Sequence, residues 1–319
     1  MTIKINILFI LCFSLIVCIS CSSDNGVNNN PNNTDHSGVI AYCYQPLQNG
    51  IHQIYRINED GTGNTKIIES AIGLNHHDWS PDGSRLACVG YIGTGNNSWS
   101  IHVFNADGTG LTRLTSTSNV WDSEPAWSPD GTQIAFTRIY PNNNQKEELW
   151  IMNSDGSNQH YIGVDGFAAK WSPDGNGFIY SSTTSGNYEI YTCLIDGSNI
   201  QQITNSDLDE SFPVYSPDGT HIAFCASSGE YNTPSNTATY EIYTMNSDGT
   251  NIQQLTNNNF LDNYPRWSPD GTRLVFTSDR HQANKWEIYV MNADGSGTSR
   301  VTYSPTNVTG INPVWRPEQ

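Results

Sequence analysis

Asp78-Trp79-Ser80-Pro81-Asp82-Gly83 is the first of six variants of one phrase. It returns as Ala126-Trp127-Ser128-Pro129-Asp130-Gly131, at Trp171 to Gly175, at Tyr215 to Gly219 and at Trp267 to Gly271, and ends in the truncated Val314-Trp315-Arg316-Pro317. Equivalent positions are 48, 44, 44, 52 and 48 residues apart, a period that means a propeller or a solenoid. A second phrase runs between the copies of the first: Asp60-Gly61, Asp107-Gly108, Asp155-Gly156, Asp196-Gly197, Asp248-Gly249 and Asp294-Gly295, each followed by Thr or Ser. Six copies of each imply six units.

The third unit shows the contents of one repeat. Pro125-Ala126-Trp127-Ser128 leads into the turn Pro129-Asp130-Gly131, then come Ile134-Ala135-Phe136-Thr137, a loop, Leu149-Trp150-Ile151-Met152-Asn153, the turn Asp155-Gly156, and a short segment from Gln159 to Ile162. Pro presets φ at the second position of a type I turn, and Asp-Gly between apolar alternations is a strong hairpin signal. Four short antiparallel strands per unit, apolar on both faces, make a propeller blade. The array begins at a second strand, Val39-Ile40-Ala41-Tyr42, and ends on a first strand, Asn312-Pro313-Val314-Trp315. The expected fold is therefore an all-β six-bladed propeller over 38–319. Its first blade is completed by the C-terminal strand, which leaves no open edge.

Residues 1–20 read as a lipoprotein signal peptide. An apolar run from Ile7 to Ile19 is too short for a comfortable membrane span, and Ser20-Cys21 suits cleavage followed by acylation of Cys21. Cys18 departs from the leucine usual at that position. Residues 21–37, rich in Asn, form a flexible tether. The other cysteines, Cys43, Cys88, Cys193 and Cys225, fall at core positions of different units and read as small buried hydrophobes with no metal-ligand spacing. Fourteen basic against 31 acidic residues give a net charge of −17, which argues against nucleic acid and against a basic face on anionic lipid. The membrane is reached through the N-terminal lipid alone, and a monomer is expected.

The combined phrases Trp-Ser-Pro-Asp-Gly-x-x-Ile-Ala-Phe and Ile-Tyr-x-Met-Asn-x-Asp-Gly-x-x-x-x-x-Leu-Thr resemble the propeller repeats of the TolB family, the periplasmic component of the Tol-Pal envelope system. The resemblance covers about all of 38–317. TolB proteins carry an α/β domain ahead of the propeller, whereas a signal and a tether stand there in this sequence, so the resemblance implies the fold more strongly than the Tol role. It also implies that peptide segments of partners are received at the channel mouth.

In a four-stranded blade the first and third turns lie on one face, and here they are tight and nearly identical. The opposite face carries the irregular loops, Tyr91 to Ser100, Ile139 to Glu148, Ser227 to Tyr240 and Asp279 to Trp286; function concentrates in such segments. Just before the inner strands stand His76, His77, Trp121, Asp122, Glu124, Asp165, Asp209, Glu210, Phe212, Asp262 and Tyr264. These are the candidate ligand-binding residues, expected to ring the channel mouth and able to hold Ca²⁺ or a basic or extended peptide. The blander reading is a solvated acidic rim. His76 and His77 point to opposite faces of one strand, so a metal site gets at most one of them. The Asp-Gly loops lack the Glu spacing of an EF-hand and read as hairpins. The series Trp79, Trp127, Trp171, Tyr215, Trp267, Trp315 recurs once per unit, which makes it inter-blade core and not a sugar-stacking stripe.

No nucleophile elbow and no H-E-x-x-H is present. The expectation is a non-catalytic, cofactor-free protein- or peptide-binding lipoprotein of the bacterial envelope, facing the periplasm or the cell surface. The alternative is a carbohydrate-binding or polyuronate-cleaving propeller with His76 or His77 and the acidic rim around a metal.

Overall fold

The computed structural model describes residues 38–45, 51–91, 99–227, 239–283, 285–304 and 309–317. The signal peptide, the tether and Cys21 lie outside the described residues. Among the described residues, twenty-four strands form six four-stranded antiparallel sheets. Five sheets run in simple chain order from inner to outer strand, and the sixth joins Thr309–Trp315 to Val39–Gln45, Gln53–Asn58 and Thr65–Lys66. The ring thus closes as the ends of the repeat array require, with Ile40 opposite Trp315 and Tyr44 opposite Gly310.

Each Ser-Pro-Asp-Gly phrase forms the turn its residues favour. In the second blade the Gly83 N–H donates to the Ser80 carbonyl at 2.8 Å, and Gly83 takes φ +61°, open to glycine at no steric cost. The Asp82 carboxylate accepts from the Ser80 hydroxyl at 2.6 Å and from the Ser84 amide at 3.0 Å. These bonds favour the ionised form and hold Asp82 at about 2. The Asp-Gly hairpins use the same device, with Asp155 accepting from both the amide and the hydroxyl of Ser157. The Leu-Thr end of the longer phrase has a cause too. Outer strands pair for only two residues in five blades, and the Thr hydroxyl takes over where pairing stops: Thr115, Thr204, Thr256 and Thr302 accept the amides of Ile101, Ile190, Ile242 and Ile288 at 2.8 to 2.9 Å.

The core lies between blades. Trp127 packs with Ile134, Phe136 and Met152 of its own blade and with Ala87, Val89 and Ile101 of the preceding one. Trp171 and Trp315 sit in equivalent clusters, and Trp79, Trp127, Trp171 and Trp315 are all buried. Cys43, Cys88, Cys193 and Cys225 are buried and unbridged, and burial pushes the Cys193 and Cys225 thiols up to about 12. No helix among the described residues is long and apolar enough to cross a membrane.

Candidate functional site: the propeller axis and the loop face

Every inner strand carries a β-bulge, and at each bulge a non-glycine residue sits in the left-handed region. These are His76, Glu124, Ala168, Phe212, Tyr264 and Asn312, at φ between +37° and +56°. The left-handed well is uncommon for such side chains. A bulge re-aims a side chain, and here six of them converge on the axis. The rings of Phe212 and Tyr264 are 4.4 Å apart, those of His76 and Tyr264 6.1 Å, and the His76 Nδ1 lies 3.1 Å from the Glu124 carboxylate. Asn312 donates to the Asn75 side chain at 2.9 Å. The cavity among His76, Glu124, Tyr264, Arg266 and Asn312 has a volume of about 10 Å³, room for about one water. At this level the axis is a plug.

Two residues beyond bulge positions on their strands lie Asp78, an acid expected near the channel mouth, and Lys170 and Arg266, unforeseen as members of the axial group. The Lys170 ammonium is buried and donates to the Pro125 carbonyl at 3.2 Å. Burial pushes it down to about 8 and Arg266 adds to that shift, while Asp78 and Glu124 oppose it. Asp78 accepts the Trp127 amide of the next blade at 2.9 Å. Burial also depresses both histidines, His77 to about 3. His77 contacts the Cys43 sulfur at 3.3 Å, away from the His76–Glu124 pair. No three His, Cys, Asp or Glu residues among the described residues are grouped to hold a metal ion.

The other acids expected at the mouth occupy three kinds of place. Asp122 and Asp262 are buried, each paired with an arginine: Arg138 of the adjoining strand forks onto Asp122 at 2.7 and 3.0 Å, and Arg280, in the turn that follows the adjoining strand, reaches Asp262 at 2.6 Å. Glu210 is buried beside Glu189. Asp209 accepts the Tyr188 amide at 3.0 Å. Asp165 stands exposed at the end of an outer strand, bonded to Tyr161 at 2.6 Å and Lys146 at 3.2 Å, remote in the blade from the inner strand. The reason is geometric: residues just ahead of an inner strand still belong to the blade's hydrogen-bonded edge, and only the bulge position turns inward. Trp121 remains partly exposed on the loop face and stacks on Trp99 at 5.8 Å.

A buried acid that opens the third strand was missed in the sequence. Glu189, Glu241 and Glu287 each accept the backbone amide 17 residues on, at Ser206, Asn258 and Ser304, with lengths of 2.7 to 2.9 Å. Each bond pins the start of the segment that leads to the next inner strand. The repeated Glu-Ile-Tyr triplets at 189, 241 and 287 were the available signal. Burial pushes the Glu210 carboxyl up to about 7, and the Glu189 carboxylate adds to the shift against the hydroxyls of Thr204 and Ser206. The native state therefore keeps a proton that the unfolded chain releases near its ordinary value. Stability from this group is full at acid pH and lost as pH rises through about 7. Glu210→Gln is expected to melt progressively higher than the wild type as melts move from acid to alkaline pH. A difference independent of pH would refute the buried, protonated assignment.

The family model described as TolB beta propeller domain matches residues 21–232 and 232–319. A protein of Agrobacterium fabrum described as uncharacterized is 25% identical over 259 residues, covering 80% of this chain and 69% of that protein. The Tol-Pal system protein TolB of Francisella tularensis subsp. mediasiatica is 34% identical over 110 residues. That match covers 34% of this chain and about a quarter of the Francisella protein, 24% of its length. TolB from Acinetobacter baumannii superposes with a TM-score of 0.72 at 21% identity, covering 89% of this chain and 68% of that one; at that identity the likeness is one of fold.

Proposed function

Because the chain belongs to the TolB beta propeller domain family, we propose that it is a non-catalytic module that binds a protein or peptide segment in the bacterial cell envelope, held there by the acylated Cys21. The binding face is the loop face. The observation that carries this reading is the packed axis: the bulge residues meet there and leave a cavity of only about 10 Å³ among His76, Glu124, Tyr264 and Asn312, so a ligand on that face meets a floor of side chains. Around the floor the blades stop repeating, and Trp121 on Trp99 offers aromatic surface of the kind that anchors peptides. Polar groups from Asn143 to Glu147, with Ser182 and Thr184, line a cleft of about 450 Å³ beside it. The metal-dependent polyuronate reading is the weaker one, since His76 pairs with Glu124 and His77 with Cys43 and no three such residues among the described residues are grouped around one point.

Site-specific photocrosslinking tests the proposal. A photoreactive side chain at position 121, on the loop face, is expected to capture discrete envelope polypeptides in cells, and one at position 107, in a turn of the opposite face, to capture none. Adducts from position 107 with none from 121 would place the binding face wrongly.

A further inference from the structure

Three of the inner-strand tryptophans are covered by arginines on the turn face. Arg85 lies over the ring of Trp127 in the next blade at 4.6 Å, Arg273 over Trp315 at 5.3 Å, and Arg316 over Trp79 at 5.3 Å. Arg85 and Arg273 are the residues that follow Ser-Pro-Asp-Gly-Ser and Ser-Pro-Asp-Gly-Thr. In the fifth blade that place is taken by His221, which faces Trp267 of the sixth.

The backbone there is the same. The amides of Arg85, Arg273 and His221 each donate to the serine hydroxyl five residues back, at 2.9, 3.0 and 3.0 Å. His221 therefore leaves the chain from the point where the arginines leave it, but its ring is shorter and turns to the Thr220 hydroxyl at 2.8 Å. Trp79, Trp127 and Trp315 are buried under their arginines and Trp171 is buried with Gln133 at that place, whereas Trp267 stays partly exposed. A cleft of about 460 Å³ opens beside it, lined by Met245, Pro217, His221 and the carboxylates Asp218, Asp270 and Asp294. Turn hydrogen bonds hold all three acids below their ordinary values, so they are ionised at neutral pH. No Lys or Arg is among the described residues that line it.

The geometry points to a binding site for a guanidinium group between the fifth and sixth blades, on the turn face: an arginine side chain of a peptide enters the place that the protein's own arginines fill elsewhere. An aromatic face supplies the cation–π contact and the carboxylates supply the counter-charge. Ile252, half exposed at 51% beside the lining residue Gln253, gives the rim an apolar contact for a neighbouring peptide residue. The site is on the face opposite the one proposed above, so the two stand or fall separately.

The test is a titration with acetyl-Gly-Arg-Gly amide at physiological ionic strength, following the Trp267 indole N–H by NMR, assigned with Trp267→Phe. A saturable shift is expected for the wild type, and at least about tenfold weaker binding for His221→Arg, in which the chain supplies its own guanidinium. His221→Arg is expected to melt no lower than the wild type. Three results would overturn the proposal: unchanged binding by His221→Arg, an equal shift with acetyl-Gly-Ala-Gly amide, or a lower melting temperature showing that arginine does not fit the place.

Discussion

Trp127→Ala is expected to lower the unfolding free energy by about 3 to 5 kcal/mol, measured by chemical denaturation. The indole is 5% exposed and bridges two blades, so its removal leaves a cavity walled by Ala87, Val89, Phe136 and Met152, which are themselves held by sheets. Rigid walls collapse poorly, which places the cost in the upper part of the range for large-to-small changes. It also strips the ring from under Arg85, 4.6 Å away, and that contact adds a smaller cost. The effect should propagate around the ring, because a closed propeller has no free end at which a weakened blade interface can open alone. A change below about 1 kcal/mol, within the range of surface substitutions, would mean that the tryptophan series is not core.

Asp122→Ala should cost a similar amount, about 3 to 5 kcal/mol, by leaving the Arg138 guanidinium buried without its carboxylate. Arg138 is 4% exposed, forks onto both Asp122 oxygens, and lies 4.2 Å from the Trp150 ring. Removing the cation as well relieves the penalty, so Asp122→Leu combined with Arg138→Met is expected to regain most of the stability. Denaturation of the three variants in parallel decides the matter. A cost under about 1 kcal/mol for Asp122→Ala would show a solvent-screened surface pair, and Asp122 would then return to the exposed rim that its position in the sequence suggested.

The two variants mark where sequence reasoning succeeded and where it stopped. Trp127 was legible as core because its neighbours recur with the repeat: every copy of the phrase places an aromatic residue two positions before proline, and recurrence is a statement about a shared environment. Asp122 was legible as an acid near an inner strand and nothing more. Its partner Arg138 is 16 residues away on the adjoining strand, and no other blade carries the same pair, so no repetition announced it. Glu210 and Asp262 were legible no further, because Glu189 lies on a strand of the preceding blade and Arg280 in the turn after the second strand, and neither contact is written near its acid. Lys170 was passed over because a lone lysine before a tryptophan reads as surface; four other blades bring their charged and aromatic side chains to the axis around it.

What the sequence determined by itself is whatever repeats: six blades, the four strands in each, the Ser-Pro-Asp-Gly and Asp-Gly turns, and a ring closed by joining the last strand to the first. Those features follow from local conformational preference and from apolar alternation, both of which are written within a few residues. Only the tertiary structure decided what sits at the axis and in the seams between blades. The bulges turn His76, Glu124, Phe212, Tyr264 and Asn312 inward because the inner and second strands pair out of register at that point, and the arginines reach across to the tryptophans of the following blade. Such contacts join residues about 40 positions apart, and the place left open by His221 over Trp267 exists only once neighbouring blades are packed together.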